Sequence, residues 1–352
     1  MPALLSGCCV CGDSSLSSDT NLLLCEPCLC QVEALEGEGD SYFRASYACP
    51  ALLLEAAGSL KLLLEKLLIP PSETATVVTI SAQEALHHLQ SADAGHWPLL
   101  VLTGAGTSVS YGVGVGYGTK EVVDGESVNA RYWSVYVEAR RILGSLPAKN
   151  SSDDFYARLS RFIAAKESLA LVCAATSNID GLCSTRLGVR CSLLELHGSV
   201  MRLQCSRREG KDCMEALHAA SNEPMPHGRA SSVPNDDPFG FCNDCGGSMR
   251  FNVTTFGDWP RDIVGTQKAQ TALCHWVTAQ ETSPAMQILC LGCSDHLHSM
   301  VHEARAVRHR RSQLGLATHI ICVNPDPAGA AAVGDCSQVT CGAEAFFPDT
   351  AV

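Results

Sequence analysis

Residues 97–108 read WPLLVLTGAGTS. An apolar run over 98–102 ends in Thr103 and passes straight into Gly104-Ala105-Gly106-Thr107-Ser108. A strand ending in GAG turns tightly and brings bare backbone close to a pyrophosphate. The helix that follows is expected to aim its N-terminal amides at the anion. A lone GxG fits a plain structural turn equally well, so the surrounding sequence has to decide.

Short, nearly continuous apolar runs recur at 98–102, 169–174, 193–196, 287–291 and 319–323, separated by helical patterns. This predicts a Rossmann-like parallel sheet with helices on both faces, an α/β fold. Residues 201–250 break the alternation with Cys, Gly and Pro, and 219–238 read as a loop. Residues 1–50 are Cys-rich. The organisation expected is a Cys-rich extension over 1–50 and a main domain over 51–352. Within that domain the core covers 97–200 and 251–352, and a small inserted metal-type module covers 201–250. The apolar tract 51–69 carries Glu55, Lys61, Glu65 and Lys66 and repeats Leu53, Leu60, Leu64 and Leu67 at helical spacing, which predicts an amphipathic helix.

Composition narrows the function. Of the 352 residues, 46% are hydrophobic and 18% charged, enough for a sizeable core. A net charge of -12 argues against direct nucleic-acid binding. The basic run 305–311 is expected to be a solvated helix face. No run of ~18 uninterrupted apolar residues predicts a membrane span. Twenty cysteines without a secretory leader pattern predict an intracellular protein, nuclear or cytoplasmic, whose thiols bind metal or act as small buried hydrophobes.

Two more strand ends carry polar groups. One is Thr176-Ser177-Asn178-Ile179-Asp180-Gly181, where open α/β sheets bind ligands. The other is His197-Gly198 after the run 193–196, a position suited to a general base. A single such histidine also fits a structural role, the role expected of His87, His88 and His96.

In this order the segments resemble the sirtuins, NAD-dependent protein deacylases. VLTGAGTS resembles the family's nucleotide loop, TSNIDGL its ribose segment, and ELHGSVMRLQC its catalytic-histidine motif with a first zinc cysteine. FCNDCGGSMRFNVTTFGDWP (241–260) resembles the second cysteine pair and the substrate strand, and is especially similar to a microbial-type branch. That branch continues with a Gln and a Trp, here Gln267 or Gln270 and Trp276. LCLGC and ICVNPDP resemble the last nucleotide-contacting strands. The chain departs where the family has an Asp-Phe-Arg after the GAG loop. Here the stretch alternates Gly112, Gly114, Gly116 and Gly118, with Arg131-Tyr132-Trp133 following. Ser177, Cys293 and Phe251 stand where Gln, Thr and Pro are usual.

The resemblance implies NAD binding by Gly104, Ala105, Gly106, Ser108, Ser177, Asn178, Asp180, Gly292, Ser294 and Asn324. It implies His197 as the catalytic base, and an acylated protein or peptide adding as a strand along Val253, Phe256 and Gly257. Nicotinamide would be released and the acyl group passed to ADP-ribose, a transferase reaction. The glycine-rich departure raises alternatives: a weak or inactive NAD- or ADP-ribose-binding regulator, or a protein ADP-ribosyltransferase. Cys205, Cys213, Cys242 and Cys245 are expected to hold a structural Zn2+, with seven residues inside the first pair and two inside the second. Cys8-x2-Cys11 and Cys25-x2-Cys28 form a second zinc candidate at the N-terminus.

Overall fold

In the computed structural model of the chain, the residues described are 76–91, 95–109, 111–113, 128–145, 154–168, 170–187, 193–205, 218–219, 242, 246–247, 249–254, 265–294 and 300–347. All of them fall in one compact unit, Pro71–Thr255 with Pro260–Val352. The Cys-rich extension and the helix expected over 51–69 lie outside the described residues.

Among the described residues, a seven-stranded sheet is built from β1 (Val77–Thr79), β2 (Leu99–Thr103), β3 (Val172–Thr176), β4 (Leu193–Glu195), β8 (Ala285–Leu291), β9 (Ala317–Val323) and β10 (Cys336–Val339). Their order is β1-β10-β9-β8-β2-β3-β4, and every pairing is parallel. From β2 the chain winds outward through β3 and β4. From β8 it winds the other way through β9 and β10. The reversal between β2 and β8 is where such sheets bind ligands.

Both faces are covered, which explains why the strand sequences are apolar without alternation. Leu99, Val101, Ala174, Leu289 and Ile321 pack on one face against α1 (Ala82–Gln90) and α4 (Phe155–Glu167). Leu100, Leu102, Cys173, Ile288 and Ile320 pack on the other against α6 (Thr266–Ala279), α7 (Met300–Gln313) and α8 (Ala328–Val333). Helix α1 begins with a capping box: Ser81 Oγ accepts from Glu84 N–H at 3.1 Å, and Glu84 accepts from Ser81 N–H at 2.8 Å. Further helical segments are α2 (Gly106–Val109), α3 (Val128–Ser145), α5 (Leu182–Arg186) and α9 (Ala343–Phe346).

A second, antiparallel sheet has the order β6-β5-β7, from β5 (Gly198–Cys205), β6 (His218–Ala219) and β7 (Met249–Val253). Its strands straddle the composition boundaries at 201 and 250. Phe251, fully buried at the family's usual proline, packs its ring 5.5 Å from Tyr136 and 6.4 Å from Trp133 of α3. Tyr132 is buried in the same cluster. The aromatics that follow the glycine-rich stretch therefore build this small core.

The structure corrects three expectations. The third strand begins at Val172 rather than 169, because Ala170 N–H still closes onto Lys166 O of α4 and Leu171 is exposed. The basic run 305–311 is not simply a solvated face. Arg311 is fully buried and donates to the carbonyls of Gln280, Ser283 and Ala317, which end one element and begin another. Strands β1 and β10 were not expected at all. For the described cysteines, burial as small hydrophobes prevails on the sheet: Cys290 and Cys322 face each other in register between β8 and β9, beside Cys293 and Cys336. Hydrogen bonds among these thiols, together with burial, hold Cys290 and Cys322 well above the usual thiol range, so they stay protonated and inert.

Candidate nucleotide site

Gly104 and Gly106 follow β2, and Gly292 follows β8. A Cβ on Gly104 would sit 2.7 Å from Gly292 O, and one on Gly106 2.7 Å from Gly292 Cα. Gly292, at φ +60°, would place its own Cβ 2.6 Å from Thr107 N. The two loops thus touch backbone to backbone at the switch point, and no side chain fits between them. Gly104 N–H donates to Leu291 O at 3.0 Å and Gly106 N–H to Gly292 O at 2.9 Å.

The helix expected to present its amides to an anion is only one turn, α2. Its Thr107 and Ser108 N–H groups donate to Gly104 O and Ala105 O, both at 3.0 Å. Those amides are spent inside the loop. Among the described residues, no acceptor meets the backbone N–H of Ala105, Cys293 or Ser294. These three amides, rather than a helix terminus, are the donors available to a phosphate.

The Asn-Asp-Gly segment closes the floor of the site. Thr176 Oγ1 donates to Thr103 O at 3.3 Å and accepts from Asn178 N–H at 3.0 Å. Ser177, half-buried, donates its N–H to Thr103 O at 3.2 Å. Asn178 Nδ2 donates to Thr107 Oγ1 at 2.9 Å and Ser108 Oγ at 3.2 Å. Ser108 Oγ donates to Asp180 Oδ2 at 2.6 Å, and Leu182 N–H to Asp180 Oδ1 at 2.8 Å. Burial raises the Asp180 carboxyl above its ordinary range, against these two hydrogen bonds. Among the described residues, the buried Asn178 Oδ1 has no hydrogen-bond partner. A buried amide oxygen left unmet is costly, and a ligand donor such as a ribose hydroxyl would relieve it.

His197 lies half-buried in the turn between β4 and β5. Its carbonyl accepts from Thr254 N–H at 3.0 Å. Gly198 follows at φ +79°, and a Cβ there would meet Asn252 O at 2.1 Å, so the turn presses directly on β7. Strand β5 then bulges between Ser199 and Leu203. In the bulge Val200 N–H reaches Ile179 O at 2.8 Å, and Met201 Cγ lies where a Cβ on Gly181 would come within 2.5 Å. The bulge thereby ties the histidine turn to the Asn-Asp-Gly segment. Asn324, after β9, donates Nδ2 to Cys293 O at 2.6 Å. Cys293, at the usual threonine position, directs its thiol to Leu102 O at 3.5 Å and so still behaves as a donor. Ser294 is half-buried beside it.

The remaining expected residues divide. Val253 pairs with Gly198, its side chain is buried, and its carbonyl accepts from Arg250 Nη2 at 3.0 Å. Among the described residues the other edge of β7 has no strand beside it. Phe256 and Gly257 lie outside the described residues. Cys205 and Cys242 are both buried in the small sheet's cluster. Gly246 N–H donates to Cys242 O at 2.8 Å and Cys242 N–H to Gly247 O at 2.7 Å. Cys213, Cys245, Cys8, Cys11, Cys25 and Cys28 lie outside the described residues. Among the described residues no group of three or more His, Cys, Asp or Glu is placed to hold a metal. Sequence reasoning missed Thr107, Tyr156 and Asp154. Of these only Asp154 had a local signal, an Asp just before a helical pattern.

The profile described as "Sir2 family" matches residues 134–297, beginning downstream of the glycine-rich stretch. A NAD-dependent protein deacylase, sir-2.3 of Caenorhabditis elegans, is 28% identical over 193 residues, covering 46% of this chain and 64% of the relative. The chain thus matches less than two thirds of that relative's length. A solved Sir2 homolog–NAD complex shares the fold with a TM-score of 0.50 at 18% identity, covering 77% of this chain and 93% of that one. A Sir2–p53 peptide–NAD+ structure aligns with a TM-score of 0.46 at 21% identity, covering 76% and 96%. The order of motifs, the parallel sheet with its switch point and the profile match agree in likening the chain to the Sir2 family.

Proposed function

We propose that the protein is an NAD-dependent protein-lysine deacylase. The observation that carries this is the set of hydrogen-bonding groups at the switch point that are unmet among the described residues: the amides of Ala105, Cys293 and Ser294, and the buried Asn178 Oδ1. They fit a dinucleotide, with the phosphates at the amides and a ribose at Asn178. NAD would supply an electrophilic ribose carbon and a leaving nicotinamide. Gly104, Gly106 and Gly292 let the backbone approach it. Ser108 and Asp180 orient Asn178. His197 takes a proton from a ribose hydroxyl, the task of a positioned general base. An acyl-lysine peptide would add as a strand along the outer edge of β7, held by main-chain hydrogen bonds. Cys205 and Cys242, with Cys213 and Cys245, would hold a structural Zn2+ and brace the small sheet.

The alternative of binding without turnover draws on the glycine-rich stretch over 112–118. Without the family's Asp, Phe and Arg, that stretch offers little to hold a ribose in attack geometry, and such positioning supplies ~7–11 kcal/mol in enzymes. One experiment separates the two. Nicotinamide release is measured with NAD and an acyl-lysine peptide, on wild type and His197→Ala, with zinc counted by elemental analysis. Release that falls ~10²-fold or more in His197→Ala supports the deacylase. Tight ADP-ribose binding with no release selects the binding protein. No nucleotide binding at all sinks both.

A further inference from the structure

Three segments around the nucleotide site meet at one buried carboxylate that belongs to none of the family motifs quoted above. Asp154 is 5% exposed and caps α4, accepting from Tyr156 N–H at 3.0 Å on Oδ1. The Tyr111 hydroxyl donates to the same oxygen. Arg186, at the end of α5 and 7% exposed, donates Nε to Oδ2 at 2.8 Å and adds Nη2 to the same atom. Burial and the adjacent carboxylate raise the Tyr111 phenol above its ordinary range, so it remains a neutral donor.

Each donor comes from a segment bearing on the ligand. Tyr111 begins the stretch that leaves the GAG turn, and Arg186 lies on the helix that follows Asp180 and Gly181. The Tyr111 ring stacks on Tyr156 with centroids 5.6 Å apart and planes 17° apart. The Tyr156 hydroxyl lies 3.3 Å from Thr107 Oγ1, which accepts from Asn178 Nδ2 at 2.9 Å. Tyr111 N–H and Val113 N–H both return to Ser108 O, at 3.1 and 3.2 Å. Past Val113 the sequence alternates glycine, which has high conformational freedom.

We infer that Tyr111, Asp154 and Arg186 form a positioning clamp that holds the root of the glycine-rich stretch, residues 111–113, and through Tyr156 and Thr107 supports Asn178, and that nucleotide affinity depends on it. This rests on the nucleotide site proposed above. Tyr111 is the residue to test, because Tyr111→Phe keeps the ring stack and removes only the hydroxyl. ADP-ribose binding is measured by calorimetry at a temperature where every variant is fully folded, and exchange of the 111–113 amides is followed by hydrogen–deuterium exchange. The expected result is exchange faster by about tenfold and ADP-ribose affinity weaker by about fivefold to tenfold in Tyr111→Phe, with a larger loss in Tyr111→Leu. Wild-type affinity in Tyr111→Phe overturns the inference while leaving the nucleotide site standing. So does an affinity loss with unchanged exchange at 111–113, because the hydroxyl would then act other than by holding the root. If wild type binds no ADP-ribose, the nucleotide site itself fails and the inference falls with it. Asp154→Asn, which keeps the cap acceptor, serves as a second variant and is expected to weaken ADP-ribose in the same direction.

Discussion

The large parallel sheet and the small antiparallel one meet the candidate site in opposite ways. At the carboxyl end of the parallel sheet the site is made by leaving side chains out: Gly104, Gly106 and Gly292 touch through backbone alone. In the small sheet the side chains fill the interior. Phe251, Tyr136 and Trp133 pack around β7, and its outer backbone edge has no strand partner among the described residues. The contrast teaches that one fold combines a turn packed backbone to backbone with an edge strand held in place by an aromatic core. The first tolerates almost no added atoms. The second is limited by how well its aromatic core holds the edge in place.

The sharpest way to break the contrast is to add a methyl group on each side. Gly104→Ala puts a Cβ against Gly292 backbone, which has no flexible end to move. The expected loss is at least ~3 kcal/mol of stability or complete loss of ADP-ribose binding, read by chemical denaturation and calorimetry. Gly198→Ala is expected to be as severe, since Asn252 O is closer still. Phe251→Ala tests the other side. It should cost ~3–5 kcal/mol, seen in denaturation and as faster hydrogen exchange in β5 and β7. If the parallel sheet lost protection equally, the two regions would not be energetically distinct.

Two charged groups sharpen the comparison by pH. Lys166, on α4 under the parallel sheet, donates to Leu89 O at 2.8 Å and Gln287 Oε1 at 2.6 Å, and burial lowers its pKa from 10.5 to about 8. Between those values the unfolded chain holds more protons than the native one, so stability should rise as pH climbs from about 8 to 10.5. In Lys166→Met that rise should flatten. Asp180 runs the other way. Its raised native pKa means that stability falls as pH climbs from the unfolded value of 3.8 through the native one. Asp180→Asn removes that slope and leaves a side chain able to accept from Leu182 N–H. The thermal midpoint at neutral pH should hold or rise while ADP-ribose binding weakens. The smallest effect is expected at Gly315→Ala. There φ is +71° but the surroundings are open, so only the backbone cost of about 1–2 kcal/mol applies.

Much of the architecture was legible because it depends on local pattern. Strands β2, β8 and β9 are apolar runs buried on both faces, and such runs announce themselves in one dimension. The GAG turn, the Asn-Asp-Gly segment and the His-Gly turn were legible as types in a fixed order. Strand β1 was not, because Val77–Thr79 is three exposed residues, and β10 was not, because CSQV mixes polar and apolar residues. Arg311 was misread because charge predicts exposure only where no orphan carbonyls call the side chain inward.

By itself, the sequence determined the fold class, the family resemblance and the residue types at the strand ends. The tertiary structure alone decided that Gly292 is what Gly104 and Gly106 make room for, and that the first amides of α2 are spent inside the loop. It alone decided that a bulge in β5 joins His197 to Ile179, and that Asp154 gathers Tyr111 and Arg186. The physical reason is range. Periodicity and turn chemistry act over a few neighbours. Backbone contact across the sheet, and a carboxylate shared by residues 43 and 32 positions away, exist only once the chain has closed on itself.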